Sequence, residues 1–474
     1  MSKQSKSEAE PTELVDCPPL EQAVVKFIQE TRFDQLDSSV RAAVSLLMRD
    51  QIAVQIGSSA MPWSRKVLSY IQKRQRDGQS RVTASDLKMS AMDAAFVNAS
   101  YGHGFEYDDA HRESASHPGC CVVPAALAIG EGLDSTMEDV ITAIVVGYEV
   151  YTRIGCLAAP DLLSRGFHPH AVLSRFGAAA VAAKLRGFDA ETTLNALAIA
   201  LSYASGTTEF SSTGGSIKRV HAGIGVSSGM AAADLAEIGI TGPRAFLSGN
   251  KGFFRTFLQR TAGVNPEKWF EKGAEFQIKK VWLKPYCCCG CNHAYVDTMA
   301  EFAGRAADVA SITLLIQRSA NMVVGTANVN SRAPRNIEHI QYSLPVQMAF
   351  ALHGLGNGYT VHRDYLAGKV DMDAVLETAR KIIMEEDSTL DGKYPGKFIA
   401  DVTITFRDGE SRHIFIEDSS GTTENPLTDA QQDAKFLELT DSVLGSNRAR
   451  ALLAALKIQD PRLPARALAA MASV

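Results

Sequence analysis

The sequence of 474 residues lacks an excess of positive charge, and it lacks any apolar run long enough to cross a membrane. Its 48 Lys and Arg residues are outnumbered by 53 Asp and Glu residues, so the formal net charge is −5. A protein without a basic field has no general attraction for nucleic acid or for an anionic membrane surface. The longest apolar stretches, such as residues 140–150, are shorter than a bilayer requires. We therefore expect neither nucleic acid nor a membrane as a partner, and an anionic ligand would have to be held by local charge.

The N-terminus lacks the features of a targeting segment. It contains acids and no apolar core, which argues against a secretory signal and against an Arg-rich transit peptide. The C-terminal Met-Ala-Ser-Val differs from a peroxisomal address. We expect a cytoplasmic protein whose residues 1–19 form a disordered, solvated tail.

The eight cysteines lack the spacing of a disulfide framework or of a zinc site. Four of them fall in the segment C-C-C-G-C at residues 287–291, with His293 two residues further on. Zinc ligands come in pairs with a short gap, and three adjacent thiols cannot converge on one tetrahedral ion without strain. We therefore predict no metal and a reduced compartment. A zinc protein built on this cysteine cluster is the alternative, and metal analysis would test it.

Residues 20–263 have the pattern of an all-helical domain. Small residues dominate the faces of the periodic segments, which suits close-packed buried helices. Apolar β-branched runs bounded by turns are scarce, so a parallel sheet is not expected here. The clearest predicted helices are residues 39–54, 137–158, 171–185 and 225–236.

From about residue 264 the pattern changes to that of an α+β domain, predicted over residues 264–420. Asp408-Gly409 between two alternating runs is a strong hairpin signal. Thr428 and Gln431 then form a capping-box pattern, and two helices should follow. We expect residues 421–474 to pack back on the helical domain, so that the fold is mainly α with a second, smaller α+β domain. The predicted strands are residues 312–317, 337–343, 398–406 and 411–416, and the predicted helices are residues 345–353 and 373–385.

What the sequence does contain is a concentration of histidine. Six of the eleven histidines fall in three short motifs, H-G-F-E-Y-D-D-A-H-R-E-S-A-S-H-P at residues 103–118, G-F-H-P-H at residues 166–170 and G-G-S-I-K-R-V-H-A-G at residues 214–223. Imidazoles and a lysine gathered around carboxylates supply positive charge for an acidic substrate and proton donors that work near neutral pH. The pattern therefore indicates an enzyme that acts on a small polycarboxylic acid.

Several motif residues are placed where helices should begin. His117 and His168 each precede a proline and an apolar segment. Proline suits the first turn of a helix, and a helix N-terminus attracts anions. Lys218 and His221 are three residues apart, so on a helix they share a face behind a glycine pair that lets a ligand approach closely. The alternatives are capping or core histidines, a solvent-exposed lysine and, for the acids of the first motif, a solvated helix end.

In these motifs the chain resembles the MmgE/PrpD family, which includes 2-methylcitrate dehydratases, cis-aconitate decarboxylases and iminodisuccinate epimerase. The resemblance covers nearly the whole length and also takes in K-P-Y-C-C at residues 284–288, S-L-P-V at residues 343–346 and E-N-P-L at residues 424–427. It implies a large all-helical domain and a smaller α+β domain, with the active site in the cleft between them. It also implies a homodimer and catalysis without a metal or an organic cofactor.

The same resemblance implies roles for particular residues. The catalytic positions of the family fall on Glu106, His117, His168 and Lys218. The residues that we expect to bind the substrate are Asp109, His111, Arg219, His221 and Tyr286.

The chain departs from the dehydratase pattern at three positions. Glu106 replaces the leading Asp of the first motif, Ala110 stands where Thr is expected, and Val346 stands where Tyr is expected. The first and third motifs look more like those of the fungal cis-aconitate decarboxylases. We therefore predict a lyase that decarboxylates a cis-aconitate-type substrate with a shift of the double bond. The alternatives are a dehydratase of 2-methylcitrate or an alkylcitrate, an epimerase of a dicarboxylate, and a non-catalytic carboxylate-binding relative.

Overall fold

The computed structural model describes residues 14–74, 76–393 and 396–474. Residues 1–13 of the predicted tail lie outside the described residues. Leu14 and Cys17 are buried, and the first helix begins at Pro19. The packed part of the chain therefore begins before residue 20, because apolar side chains ahead of the first helix already contribute to the core.

Helices form most of the N-terminal part of the fold, as the small-residue pattern predicts. Two short strands, β1 (Ser80–Arg81) and β2 (Lys88–Met89), pair antiparallel beside them. The helices are α1 (Pro19–Glu30), α2 (Ser38–Ser59), α3 (Pro62–Gln72), α4 (Ala91–His103), α5 (Gly119–Gly132), α6 (Met137–Ser164), α7 (Pro169–Arg186), α8 (Ala190–Ser202), α9 (Phe210–Thr213) and α10 (Lys218–Glu237).

Helix α6 lies at the centre of this part. It begins with a capping box in which Thr136 and Asp139 satisfy each other's backbone N–H groups. By length and composition α6 could cross a membrane, but 89% of its most apolar window is buried inside the fold. It therefore serves as a core helix, packed against α5 and α7.

Helix α10 packs closely against α4 and α7 because glycine faces both neighbours. A Cβ atom at Gly223 would lie 2.6 Å from the carbonyl oxygen of Phe96 on α4. A Cβ atom at Gly229 would lie 2.5 Å from the carbonyl oxygen of Arg175 on α7. Larger residues at these positions would push the helices apart.

This packing brings four helix ends together. Helix α4 ends at His103, α5 begins two residues after His117, α7 begins directly after His168, and α10 begins at Lys218. Three of these ends are N-termini, where the helix dipole favours negative charge. The three sequence motifs therefore meet at one place, although long helices separate them in the chain.

The α+β part is built on a four-stranded sheet with the order β4-β3-β5-β6. Strand β3 pairs parallel with β4 and antiparallel with β5, and β5 and β6 form the hairpin predicted at Asp408-Gly409. The helices are α11 (His293–Met299), α12 (Arg318–Val324), α13 (Ile337–Gln341), α14 (Leu344–Leu352), α15 (Tyr359–Leu366) and α16 (Met372–Arg380). The strands are β3 (Val309–Ile316), β4 (Ile382–Glu386), β5 (Ala400–Phe406) and β6 (Ser411–Ile416).

Two predictions in this region are wrong. The segment 337–343, predicted as a strand, contains helix α13, since the Asn336 side chain accepts a hydrogen bond from the backbone N–H of His339 and caps the helix. The helix predicted over residues 373–385 ends at Arg380, and strand β4 follows. The partner of β4 is β3, which is distant in the sequence, so local periodicity could not reveal the pairing.

The chain ends with α17 (Asp429–Leu444), α18 (Ser446–Ile458) and α19 (Ala465–Met471). The capping box of Thr428 and Gln431 is confirmed at the start of α17. Helices α17 and α18 contact α2, and α19 contacts α5. Lys435 on α17 also forms a buried ion pair of 2.6 Å with Asp50 on α2. The last helices thus lie on the helical part of the fold.

Candidate active site

A cavity of about 620 Å³ lies where the helix ends meet the α+β part, and we call it the first cavity. The helical part contributes His103, Glu106 and Lys218 to its wall. The α+β part contributes Gln341 and Tyr342, at and just after the end of α13. The first cavity is therefore completed only when the two parts of the chain are folded together.

A second cavity of about 530 Å³ lies nearby and is lined by His117, Lys284 and Cys289, among others. The ammonium nitrogen of Lys284 is 3.3 Å from Oε2 of Glu106, which lines the first cavity. The Glu106–Lys284 ion pair therefore lies between the two cavities.

Glu106 is held by two lysines and a tyrosine. The Lys218 ammonium forms an ion pair with Oε1 of Glu106 and donates a hydrogen bond of 2.6 Å to the Tyr342 hydroxyl. That hydroxyl in turn donates to Oε1 of Glu106 at 3.2 Å. Glu106 has a φ of 59°, a left-handed conformation that costs a non-glycine residue about 1–3 kcal/mol and persists only where the surroundings enforce it. Its carboxylate is thus fixed in one position between Lys218 and Lys284.

Lys218 is a buried cation at the wall of the first cavity. Burial, and then the positive charge of Lys284, lower its pKa well below the ordinary value of 10.5. Contact with the Glu106 carboxylate opposes this shift by favouring the charged form. An entering anion would favour the charged form further, so Lys218 is suited to bind a carboxylate.

His103 and Asp108 form a buried pair at the wall of the first cavity. Nδ1 of His103 is 2.7 Å from Oδ2 of Asp108, while its Nε2 has no hydrogen-bond partner among the described residues. Burial lowers the pKa of His103 well below 6.5, and the charge of Lys218 adds to this. The neutral ring therefore donates its Nδ1–H to Asp108, and its buried Nε2 is an unprotonated acceptor.

His168 and His221 form a second imidazole pair, with their Nδ1 atoms 2.9 Å apart. One Nδ1–H must donate to the other Nδ1, so the two rings have opposite tautomers. Burial lowers the pKa of His168 well below 6.5, and burial together with Lys218 lowers the pKa of His221 to about 4. Neither ring lines the first cavity directly, but the His168 ring centroid is 6.2 Å from that of His103.

His117 belongs to the same group of rings but lines the second cavity. Its ring centroid is 5.3 Å from that of His103. Nδ1–H of His117 donates to the carbonyl oxygen of Asp109 at 2.8 Å, so the proton is held on Nδ1 and Nε2 is an acceptor. Burial lowers the pKa of His117, although Asp108, 3.8 Å away, opposes the shift.

Asp109 and His111, two residues of the first motif that were predicted to bind the substrate, contact other groups of the protein. The Asp109 carboxylate accepts hydrogen bonds from the backbone N–H of Gly119 at 3.0 Å and from the Tyr148 hydroxyl at 2.7 Å. It therefore caps α5, and burial raises its pKa to about 7. His111 is buried, with Nδ1 2.9 Å from the Ser114 hydroxyl, and it borders the second cavity.

Arg219 and Tyr286 are likewise engaged by the protein. The Arg219 guanidinium is 2.9 Å from the Glu338 carboxylate and lies 3.8 Å above the Trp63 ring, so it joins the two parts of the fold at the edge of the first cavity. The Tyr286 hydroxyl donates to Asp297 at 2.5 Å. Tyr286 lines neither cavity, so the structure does not bring it to the candidate site.

The sequence reasoning missed four residues of the site, namely His103, Asp108, Lys284 and Tyr342. Three of them lie inside motifs that the sequence analysis quoted, but nothing in the spacing distinguished them from their neighbours. Tyr342 directly precedes the S-L-P-V motif, in which Val346 had been aligned with the expected tyrosine. Val346 is fully buried, and the hydroxyl at the site comes from Tyr342.

One group of described residues could hold a metal ion. The ligand atoms of His103, Cys120 and His170 lie within 4.8 Å of one another. Burial raises the pKa of the Cys120 thiol well above its ordinary value, which disfavours the thiolate that a metal needs. Nδ1 of His170 is already 2.8 Å from the Tyr151 hydroxyl. Residues 287–291 contribute no member to this group.

The protein combines a helical part, a smaller α+β part, and a cleft lined by histidines and lysines. This combination defines a distinct class of protein. The chain belongs to the MmgE/PrpD family. Residues 22–263 match the MmgE/PrpD N-terminal domain, and residues 286–460 match the MmgE/PrpD C-terminal domain. The family and the fold class expected from the motifs are therefore confirmed.

Named relatives of this chain are cis-aconitate decarboxylases. The chain is 26% identical to cis-aconitate decarboxylase of Aspergillus terreus over 435 residues, which cover 88% of each chain. It is 26% identical to a cis-aconitate decarboxylase-like protein of Aspergillus oryzae over 442 residues, 89% of this chain and 90% of the relative. It is 25% identical to cis-aconitate decarboxylase of Homo sapiens over 391 residues, 78% of this chain and 77% of the relative.

Proposed function

We propose that this protein is a cofactor-independent lyase that decarboxylates a cis-aconitate-type polycarboxylate and shifts its double bond. The observation that carries the proposal is the pair of lysines around Glu106 beside the His103–Asp108 pair. Lys284 lies near both Glu106 and Asp108, whereas Lys218 pairs with Glu106 alone among the described carboxylates, so Lys218 is the cation best placed for an anionic substrate. The adjacent imidazoles carry no charge near neutral pH, and an anionic substrate would raise their affinity for a proton.

The reaction requires a bond to break and a proton to be placed on carbon. The C–C bond to one carboxylate breaks, carbon dioxide leaves, and its electron pair forms the new double bond. The electron pair of the old double bond then takes a proton at the carbon that becomes the new CH₂. The remaining carboxylates must be held so that the electrons move towards this carbon.

The side chains of the first cavity can divide these tasks. Lys218 binds a carboxylate, and Tyr342, which accepts a hydrogen bond from Lys218, places a second polar group beside it. His103 lies at the wall of the same cavity, and the substrate's negative charge raises the affinity of the ring for a proton, with Asp108 stabilising the imidazolium. A positioned acid of this kind contributes roughly 10²–10⁴-fold to the rate.

The catalytic assignments of His117 and His168 stay predictions, and we propose that both residues support His103. Both rings lie beside His103 but outside the wall of the first cavity. Separate His103→Gln, His117→Gln and His168→Gln variants distinguish the roles. The donor variant should lose mainly kcat, while loss of a binding group should mainly raise KM.

Dehydration and epimerisation use similar catalytic groups, so the reaction must be identified from its products. A proton NMR time course in deuterium oxide over cis-aconitate, 2-methylcitrate, alkylcitrates and iminodisuccinate is the test. We expect cis-aconitate to release carbon dioxide and to give a product with a single deuterium at the newly protonated carbon. Loss of water without carbon dioxide would establish a dehydratase, and exchange at the substrate carbon alone would establish an epimerase.

The non-catalytic alternative predicts binding without turnover. It is favoured by Ala110 and Val346, which stand where the dehydratase pattern has a threonine and a tyrosine, each with a hydroxyl group. Tyr342 supplies a hydroxyl to Lys218 and Glu106, which favours catalysis over binding alone. Calorimetric binding of the whole substrate panel with no chemical change in any member would overturn the proposed activity.

We further propose that the active form is a homodimer in the cytoplasm. Light scattering of the purified protein would test whether it is a dimer.

A further inference from the structure

The proposed reaction leaves two cysteines at the second cavity unexplained. Cys289 is half-buried and Cys291 is 8% exposed, and both line this cavity. They flank Gly290, at which a Cβ atom would lie 3.2 Å from the Trp282 ring, so the ring packs directly over the turn. The two thiols are therefore presented side by side to a space that a small molecule can enter.

The backbone fixes this arrangement. The N–H of Cys289 donates to the carbonyl oxygen of Gln341 at 3.0 Å, and the N–H of Asn292 donates to the carbonyl oxygen of Cys289 at 2.9 Å. The turn is thus tied to the end of α13 and closed on itself.

The charges around the pair single out one thiol. The hydrogen bond from Cys291, together with the charges of Lys284 and Lys218, lowers the pKa of the Cys289 thiol to about 6 although burial acts in the opposite direction. Burial raises the pKa of Cys17 to about 11 and that of Cys156 to about 12. The lowered pKa favours the thiolate form of Cys289, and the thiolate is the reactive form of cysteine.

We propose that Cys289 and Cys291 are a redox-active pair, which a hydroperoxide converts into a disulfide. The Cys289 thiolate attacks the peroxide oxygen, the O–O bond breaks, and a sulfenic acid and hydroxide or alkoxide are formed. The Cys291 thiol then attacks the Cys289 sulfur, an S–S bond forms, and water leaves. In total the two thiols lose two electrons and two protons. Hydrogen peroxide is thereby reduced to two water molecules, and an organic hydroperoxide is reduced to water and an alcohol.

Oxidation would also change the electrostatics of the neighbouring site. The negative charge of Cys289 raises the affinity of Lys218 for its proton, and the disulfide removes this charge. The pair therefore links the redox state of the second cavity to the lysine that is proposed to bind substrate. The oxidation itself can be tested without an activity assay, because the disulfide can be measured directly.

Differential alkylation of the full-length protein tests the pair. In the native reduced protein at neutral pH, iodoacetamide should modify Cys289 at least about tenfold faster than Cys156, which is also half-buried but has a high thiol pKa. After hydrogen peroxide, unreacted thiols are blocked under denaturing conditions, the protein is reduced, and newly released thiols are labelled with a second reagent. Mass spectrometry should find the second label at Cys289 and Cys291.

Three variants sharpen the result. Cys291→Ser should stop at a sulfenic acid on Cys289 that a dimedone reagent traps, Cys289→Ser should abolish peroxide oxidation at this turn, and the control Cys156→Ser should behave as the parent protein. Equal alkylation rates at Cys289 and Cys156 would overturn the proposal. So would a disulfide that joins Cys289 to Cys288 instead of Cys291.

Discussion

Replacement of Lys218 by methionine tests the candidate site most directly. Methionine preserves much of the apolar chain and removes the charge. Lys218 is 8% exposed, and its ammonium contacts Glu106 and Tyr342. Because Lys284 remains 3.3 Å from the Glu106 carboxylate, this carboxylate is not left without a cation. We therefore expect the variant to fold.

The magnitude follows from the lost charge. Two unit charges about 4 Å apart interact by roughly 4 kcal/mol at an effective dielectric constant of about 20. Since about 1.4 kcal/mol corresponds to a factor of ten, kcat/KM should fall by about 10³-fold. A charge that only binds substrate would raise KM alone, whereas one that also polarises the Tyr342 hydroxyl would lower kcat as well. We expect both effects.

The assay is the initial rate of substrate consumption, followed by NMR, over a range of substrate concentrations. Lys280→Met is the matched control, since Lys280 is 37% exposed and pairs with Glu275 away from the cavities. Thermal unfolding of both variants verifies that they are folded. A folded Lys218→Met protein with the kinetics of the control would remove Lys218 from the site and refute the reasoning.

Four further outcomes are expected. The His103→Gln variant should lose roughly 10²–10⁴-fold in kcat, and a variant of the exposed His413 should not; equal rates would exclude His103 as a proton carrier. Between about pH 7 and pH 5 the free energy of unfolding of the parent protein should decrease more than that of a His221→Gln variant, because His221, held at a pKa of about 4 in the folded protein, binds a proton more readily when unfolded; urea titrations with the same pH dependence for both proteins would contradict this. Overnight EDTA should leave turnover unchanged, and a loss that zinc restores would show a metal requirement. Protein with the Cys289–Cys291 disulfide should turn over more slowly until dithiothreitol is added, whereas equal rates would disprove the link between this pair and the site.

The sequence alone was sufficient for the helical part and for the motifs that form the candidate site. Helical periodicity and capping patterns are local, so segments such as α6 and the start of α17 were predicted close to their observed bounds. The three histidine motifs, which are distant in the sequence, meet in the structure around the candidate site. Prolines directly after His117 and His168, and the glycine pair three residues before Lys218, mark helix starts, and a helix start is determined by residues nearby in the sequence.

The partners of each side chain were decided only by the tertiary structure. Asp109 and Tyr286 carry the right chemistry for a substrate but face Tyr148 and Asp297 instead. Tyr342 reaches Lys218 only because the end of α13 is placed against the start of α10.

The reason is physical. A buried polar group takes whichever partner the packed chain brings within about 3 Å, and a residue's own neighbours in the sequence do not determine that partner. The same holds for strand β4, which was mistaken for helix because its pairing with β3 joins segments that lie far apart in the chain. Local sequence therefore determined where helices start and which residue types meet, and long-range packing determined which of them face the cavity.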